Sequence, residues 1–157
     1  MALHRFSSLI VLSILSTPAV AKDYLSEVTS QIYQTSGTPR EIATRASTCI
    51  AQNLGPGTID AQLIVSSDLD NGVVVANNAL RFFAKWNEWK IRSRFTFEAR
   101  EGRFRITQTG LEMFSPTMGK WASFLKGGVG TTAEAAFAAS ADAVAQCVLA
   151  DPKQNIW

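Results

Sequence analysis

A helical pattern of apolar residues begins shortly after residue 36. Thr38 as N-cap, Pro39 at the first helical position and Glu41 three residues after the cap form a capping box, which predicts a helix start. Apolar residues then recur at helical spacing until Gly55-Pro56-Gly57, where we expect the helix to end. The same spacing places Cys49 on the buried face of this helix.

A second helix is predicted near the C-terminus. Thr131 and Glu134 have the spacing of another capping box, and an alanine-rich segment follows them to about Ala150. The preceding residues 110–130 are less regular. We expect them to form a packed excursion with a short helix near residues 120–126.

Between the helices, turn residues separate four segments with the composition of β-strands. Asn71-Gly72 is a hairpin signal after the first segment, and Lys85–Asn87 form a loop before the third. The segment Lys22–Thr35 fits either a helix or a strand. The four predicted strands are Ile59–Ser67, Val73–Phe83, Trp89–Ala99 and Arg103–Thr109.

Apolar and polar residues alternate in the last two strands, as expected when one face is buried and the other is in water. Only a register in which paired residue numbers sum to 203 keeps both apolar sets on one side. This register places Phe97 opposite Ile106 and Glu98 opposite Arg105. The pattern predicts an α+β fold, in which an antiparallel sheet of about five strands carries two main helices on one face.

Residues 1–21 have the pattern of a cleavable secretory signal peptide. The apolar run from Phe6 to Ser16 is too short to span a membrane, and an uncleaved anchor would need a longer one. Small residues at Ala19 and Ala21 favour cleavage after Ala21. We therefore expect residues 22–157 to form a single exported domain.

Charge and histidine content narrow the chemistry. Of the 15 basic side chains only Arg5 lies in residues 1–21, so 14 remain against 13 acidic ones, and long-range attraction to nucleic acid is weak. The one histidine, His4, lies in the predicted signal peptide, which excludes Ser–His and Cys–His catalysis and histidine zinc sites from the mature chain. We expect no cofactor and no metal.

Cys49 and Cys147 are 98 positions apart, and a disulfide between them is the natural interpretation in an oxidising compartment. Two separate buried thiols are the alternative. Both cysteines lie near predicted helix C-termini, so parallel helices would bring them level. Antiparallel helices would hold them on the order of 20 Å apart.

A set of residues along the predicted helix and strands matches a known family pattern: Gly37, Ile42, Arg45-Ala46, Asp70-Asn71-Gly72-Val73, Phe95-Thr96-Phe97 and Gly102-Arg103-Phe104-Arg105. Through these residues the segment Ser36–Glu112 resembles the bacterial domain of unknown function family 4468. The resemblance implies a fold like that of the TATA-binding protein (TBP), with a core at about residues 27–112 and a strand at Glu27–Gln34, and it implies no chemistry. The helical part at 113–157 goes beyond the family pattern. Family members commonly carry a signal sequence, so the resemblance and the predicted signal peptide together imply a periplasmic or secreted location in a bacterium.

Basic residues on the outward side of the third and fourth strands form a candidate anion-binding face. A solvated surface that only keeps the sheet soluble is the alternative. Nucleic acid is not an expected partner, because no aromatic residues interleave with this face and exported proteins rarely meet nucleic acid. The face consists of Lys90, Arg92, Arg94, Arg103 and Arg105.

Each of the other candidate sites also has a purely structural interpretation. The tryptophans could line a ligand groove or belong to the core and its rim. The carboxylates show no acid–base spacing, and a Ser115–Lys120 dyad lacks a motif. The tryptophans are Trp86, Trp89, Trp121 and Trp157, and the carboxylates are those of Glu98, Glu101 and Glu112.

The function that fits these observations is a non-catalytic envelope module that binds another protein or an anionic surface. A carrier of a small apolar ligand between sheet and helices is a second possibility, and a hydrolase without histidine is a third.

The signal peptide pattern predicts a defined mature N-terminus. We expect the exported protein to begin at Lys22, because signal peptidase reads the small residues at Ala19 and Ala21. Intact mass spectrometry of the exported protein checks this. A retained Met1 or a lipid adduct would contradict it.

Overall fold

Seven antiparallel strands and two helices make up the part of the chain that the computed structural model describes, residues 22–55 and 62–150. The predicted signal peptide, the first residues of the strand expected from Ile59, and Trp157 lie outside these ranges. The elements are β1 Glu27–Thr29, β2 Tyr33–Gln34, α1 Pro39–Asn53, β3 Ile64–Asp68, β4 Val73–Ala84, β5 Asn87–Arg100, β6 Arg103–Ser115, β7 Lys120–Ala122 and α2 Val129–Leu149.

The long strands β4, β5 and β6 form the centre of the sheet. Its order is β1-β6-β5-β4-β3, and the short strands β2 and β7 also pair with β6. The predicted α+β architecture is confirmed, with seven strands in place of about five because the extra ones are short segments along β6. The segment 22–35, whose sequence fits either a helix or a strand, forms strands β1 and β2 with a break at residues 30–32.

The predicted register between β5 and β6 is confirmed over their central part. Phe97 pairs with Ile106 and Glu98 with Arg105, as the sum of 203 requires. Beyond Arg94 the register shifts, so that Arg92 pairs with Glu112. Gly110 supplies the extra residue of this β-bulge with a φ of 59°, a left-handed conformation that suits glycine. After the bulge, odd-numbered residues of β6 point to the core.

Helix α1 begins with the predicted capping box. The Thr38 amide donates to Glu41 Oε2 at 2.8 Å, and the Glu41 amide donates to Thr38 Oγ1 at 3.4 Å. The helix ends at Asn53, just before the predicted stop. Local sequence therefore fixed both ends of this helix.

The second predicted capping box is wrong. Helix α2 begins at Val129 with Gly128 at the N-cap, and no side chain caps it. Gly127 and Gly128 both have positive φ values, which lets the chain turn into the helix two residues before Thr131. Thr131 therefore lies in the first turn, where it cannot act as an N-cap.

The short helix expected near residues 120–126 is also wrong. Lys120–Ala122 instead forms β7, and Leu125 makes an isolated bridge with Tyr24. Phe114 and Trp121 face each other across β6 and β7, with ring centroids 5.5 Å apart. This cross-strand aromatic pair favours a hairpin over a local helix.

Two apolar clusters lie between sheet and helices. The larger one joins α1, the C-terminal half of α2 and the paired ends of β4, β5 and β6, around Phe95 and Phe97. The smaller one has five buried residues and lies under the N-terminal half of α2. Its members are Leu25, Ile91, Leu111, Ala133 and Phe137.

A buried polar group lies beside both clusters. The Asn78 amide Nδ2 donates at 2.9 Å to Gln108 Oε1 and to Ser140 Oγ, and Ser93 Oγ donates to the same Gln108 oxygen at 2.8 Å. Gln108 Nε2 donates to the carbonyl of Phe137 at 2.7 Å. These bonds tie β4, β5 and β6 to α2. They pair most of the polar atoms of these buried side chains, which would be costly to bury unpaired. Asn78 Oδ1 is buried without a hydrogen-bond partner among the described residues.

A disulfide joins the two helices near their C-termini. Cys49 of α1 and Cys147 of α2 are bonded, with Cα atoms 5.7 Å apart. Such a bond is compatible with a periplasmic or secreted location. No helix among residues 22–55 and 62–150 is long and apolar enough to cross a membrane.

Removal of the disulfide should lower stability strongly. We expect the Cys49→Ala/Cys147→Ala variant to lose about 4 kcal/mol in free energy of unfolding, because the bond closes a loop of 98 residues. Denaturant unfolding measures the loss, and wild-type protein under reducing conditions should show a similar one. Peptide mapping that finds two free thiols in protein from an oxidising compartment would contradict the bond.

Alkaline pH should weaken the contact between β2 and α2. Tyr33 donates a hydrogen bond to Asp142 at 2.6 Å, and burial together with this carboxylate raises the pKa of Tyr33 from 10.0 to about 12. Because the unfolded tyrosine ionises first, this contribution is complete below pH 10 and is lost as the pH rises to about 12. We expect the free energy of unfolding to fall more steeply over this range in wild type than in Tyr33→Phe. Equal slopes in denaturant titrations would contradict the assignment.

Candidate functional site

The outer face, meaning the face of the sheet opposite the two helices, carries all five predicted basic residues. Each is exposed and alternates with buried neighbours on β5 or β6. Strand pairing divides the five into two groups. Lys90, Arg92 and Arg94 lie near the β4–β5 turn, and Arg103 and Arg105 lie near the β5–β6 turn.

An uncharged row separates the two groups. Thr96 pairs with Val75 on one side and Thr107 on the other. Arg94 lies four residues along β5 from the row of Glu98, a separation of about 13 Å at 3.3 Å per residue. Because this distance exceeds the Debye length of about 8 Å at physiological salt, the two groups act as separate charged patches.

The group at the β5–β6 turn is partly neutralised. Arg105 contacts Glu98 at 2.9 Å, with both side chains about half exposed. An ion pair of this kind on the surface adds little to stability and reduces the local positive potential. Arg103 borders a shallow surface depression together with Ile32 and Arg100.

The group at the β4–β5 turn has more free positive charge. Arg92 forms an ion pair with Glu112 at 2.6 Å. Among the described residues, no carboxylate lies within ion-pair distance of Lys90 or Arg94. Two cations of this group are therefore available to an anionic partner.

Aromatic side chains adjoin this group. The guanidinium of Arg92 lies over the ring of Trp121 at 4.5 Å, and Lys90 Nζ lies 6.0 Å from the ring centre of Phe114. The prediction that aromatic residues do not interleave with the basic face is therefore wrong. The bulge at Gly110 turns Phe114 outward, and β7 brings Trp121 beside it. We call Lys90, Arg92, Arg94, Phe114 and Trp121 the basic–aromatic cluster.

The alternative of a tryptophan-lined groove finds no counterpart among the described residues. Trp89 has its indole NH bonded to the carbonyl of Ala84 at 2.9 Å and is half-buried on the helix side of the sheet. Trp121 lies on the outer face. Trp86 is 92% exposed at the tip of the β4–β5 turn. The three tryptophans therefore lie in three different places and do not line one groove.

The catalytic candidates lack the expected environment. Ser115 and Lys120 pair across the β6–β7 turn, but Lys120 is exposed and Ser115 Oγ accepts from the Met118 amide at 3.4 Å. A nucleophile dyad needs a desolvated lysine that is bonded to the hydroxyl. Glu98 and Glu112 are engaged by arginines. Among the described residues, no three metal-ligating side chains come together.

Side chains pack between the sheet and the helices, where Phe95, Phe97 and Phe137 are fully buried. A carrier of an apolar ligand would need a cavity in this region. A surface depression lies between β1–β2 and α2, beside Val28, Tyr33 and Ala141. The carrier therefore stays an alternative prediction.

Comparison with known proteins finds solved structures of similar fold. No protein-family model matches the sequence, and no curated protein matches it. A solved DUF4468 family protein from Bacteroides ovatus ATCC 8483 matches with a TM-score of 0.57 at 12% identity, over 80% of this chain and 86% of that chain. A TBP-like protein from Parabacteroides distasonis ATCC 8503 matches with a TM-score of 0.53 at 12% identity, over 76% of this chain and 92% of that one. The chain therefore has the TBP-like fold of the DUF4468 structure, as its sequence resemblance predicts.

Proposed function

We propose that the protein is an exported, non-catalytic envelope module that binds an anionic partner through its outer face. The observation that carries this proposal is the basic–aromatic cluster, in which exposed cations surround an aromatic pair on an uncovered sheet face. The predicted signal peptide and the disulfide support the export part of the proposal.

The local charge balance supports an anionic partner. The β4–β5 turn and the strands beside it carry five basic side chains and two carboxylates. Both carboxylates form ion pairs with arginines, Glu88 with Arg81 and Glu112 with Arg92. The basic residues are Arg81, Lys85, Lys90, Arg92 and Arg94. The mature chain as a whole is nearly neutral, so this local excess sets the orientation of the molecule toward an anionic surface.

The aromatic rings give the cluster a second role. The charged heads of Lys90 and Arg92 lie beside the rings of Phe114 and Trp121, and such contacts favour one position of the cation on the surface. Cations that are already ordered lose less side-chain entropy when they bind. Because the cluster lies on an exposed sheet face, we expect weak, reversible and salt-dependent binding.

Charge reversal within the cluster should weaken this binding strongly. For Lys90→Glu/Arg94→Glu we expect affinity for soluble dextran sulfate at low salt to fall by about thirtyfold, since each cation near an anionic surface contributes about 1 kcal/mol. Titration by isothermal calorimetry or fluorescence anisotropy at two salt concentrations measures the affinity.

Arg100→Glu/Arg103→Glu is the matched control, with the same change in net charge at the other end of the outer face. It should change affinity by about threefold or less, because the two groups are further apart than a Debye length. An equal loss in both variants would show that only net charge matters. No loss in either would reduce the outer face to a solubilising surface.

A further inference from the structure

We infer that the β4–β5 turn anchors the protein in the interfacial region of an anionic lipid bilayer. This inference rests on the proposed function and names the anionic partner. Its starting point is Trp86, the most exposed large apolar side chain among the described residues, at 92% exposure.

The turn conformation does not favour the residues found in it. Lys85 and Trp86 are the two central residues of the hairpin, and both have left-handed backbone conformations, with φ values of 50° and 65°. Two-residue hairpins of this kind favour asparagine and glycine, and a bulky residue at positive φ is strained. Trp86 is not buried by the rest of the fold, so no packing contact offsets this strain. Strain that the fold does not offset indicates a contact outside the molecule.

Other exposed apolar side chains lie at the same end of the sheet. Strands β4 and β6 run in the same direction, so the β4–β5 turn and the β6–β7 turn project from one end. Phe83, at the end of β4, is 69% exposed, and Met118, in the β6–β7 turn, is 56% exposed. These side chains and Trp86 form an apolar tip at the edge of the molecule.

Cations surround this tip. Lys85 and Lys120 lie in or beside the two turns, and Lys90 follows on the outer face. The nearby carboxylate, Glu88, is 3.5 Å from Arg81. Tryptophan next to lysine and arginine is the composition of protein surfaces that lie at the membrane interface, where cations meet anionic headgroups. A projecting tip fits such a surface better than it fits a flat protein face.

The backbone carbonyls at the β4–β5 turn already accept hydrogen bonds within the hairpin. Pairing between β4 and β5 continues to Ala84 and Asn87, directly beside the turn. Asn87 Nδ2 donates to the Lys85 carbonyl at 3.1 Å, and the Trp89 indole donates to the Ala84 carbonyl at 2.9 Å. Because these carbonyls are already satisfied, the tip can enter an apolar boundary without burying them unpaired.

The test measures binding of the disulfide-bonded mature protein to vesicles. We expect binding to vesicles of phosphatidylglycerol and phosphatidylcholine and much weaker binding to phosphatidylcholine alone. In Trp86→Gly, partitioning should fall about tenfold because one large apolar side chain no longer leaves water. Its thermal midpoint should be equal or higher, because glycine suits the turn. The matched control, Ile32→Ser, removes a side chain that is 57% exposed beside the opposite group of arginines and should bind like wild type.

The two proposals fail in different ways. If Trp86→Gly binds these vesicles as tightly as wild type while Lys90→Glu/Arg94→Glu does not, the anchor is overturned and the charge-based function stands. If wild type binds dextran sulfate but no vesicles, the anchor is again overturned alone. If Trp86→Gly loses vesicle binding and Lys90→Glu/Arg94→Glu binds both probes normally, the anchor stands and the basic–aromatic cluster is not the binding site.

Discussion

The β-bulge at Gly110 decides which side chains of β6 face water. Before the bulge, even-numbered residues such as Ile106 and Gln108 point to the core; after it, Leu111 does. Without the extra residue, the alternation of the strand would bury Glu112 and Phe114 and expose Leu111. The bulge therefore keeps a carboxylate out of the core and brings an aromatic ring to the outer face. The pairing of Arg92 with Glu112 and the contact of Lys90 with Phe114 both depend on it.

The sequence predicted those parts of the fold whose determinants are local. The capping box at Thr38 and the alternation around Phe97 fixed helix α1 and the β5–β6 register, because neighbouring residues decide both. Strand β7 and the start of α2 depend on contacts with distant segments, so the local pattern around residues 120–134 does not predict them. The same limit applied to the candidate site. The basic residues could be placed on one face from alternation, whereas the rings beside them required the path of the chain after Gly110.

The buried polar group fixes the alignment of the central strands in a way that apolar packing does not. Gln108 has partners on β4, β5 and α2, and a slip of any of these elements would leave buried donors or acceptors without partners. Apolar side chains tolerate small shifts more readily. The group thus gives the sheet one register and the second helix one position on it, which keeps the spacing of the side chains on the outer face constant.

The disulfide holds only one half of the molecule. Cys49 and Cys147 border the larger apolar cluster, whereas the outer-face cations near the β4–β5 turn are backed by the smaller cluster around Ile91 and Phe137. We expect the backbone amides of the smaller half to exchange with solvent through local opening that leaves the cross-linked half intact. Sequence changes near the turn would then alter the exposed surface without disturbing the cluster that the disulfide closes.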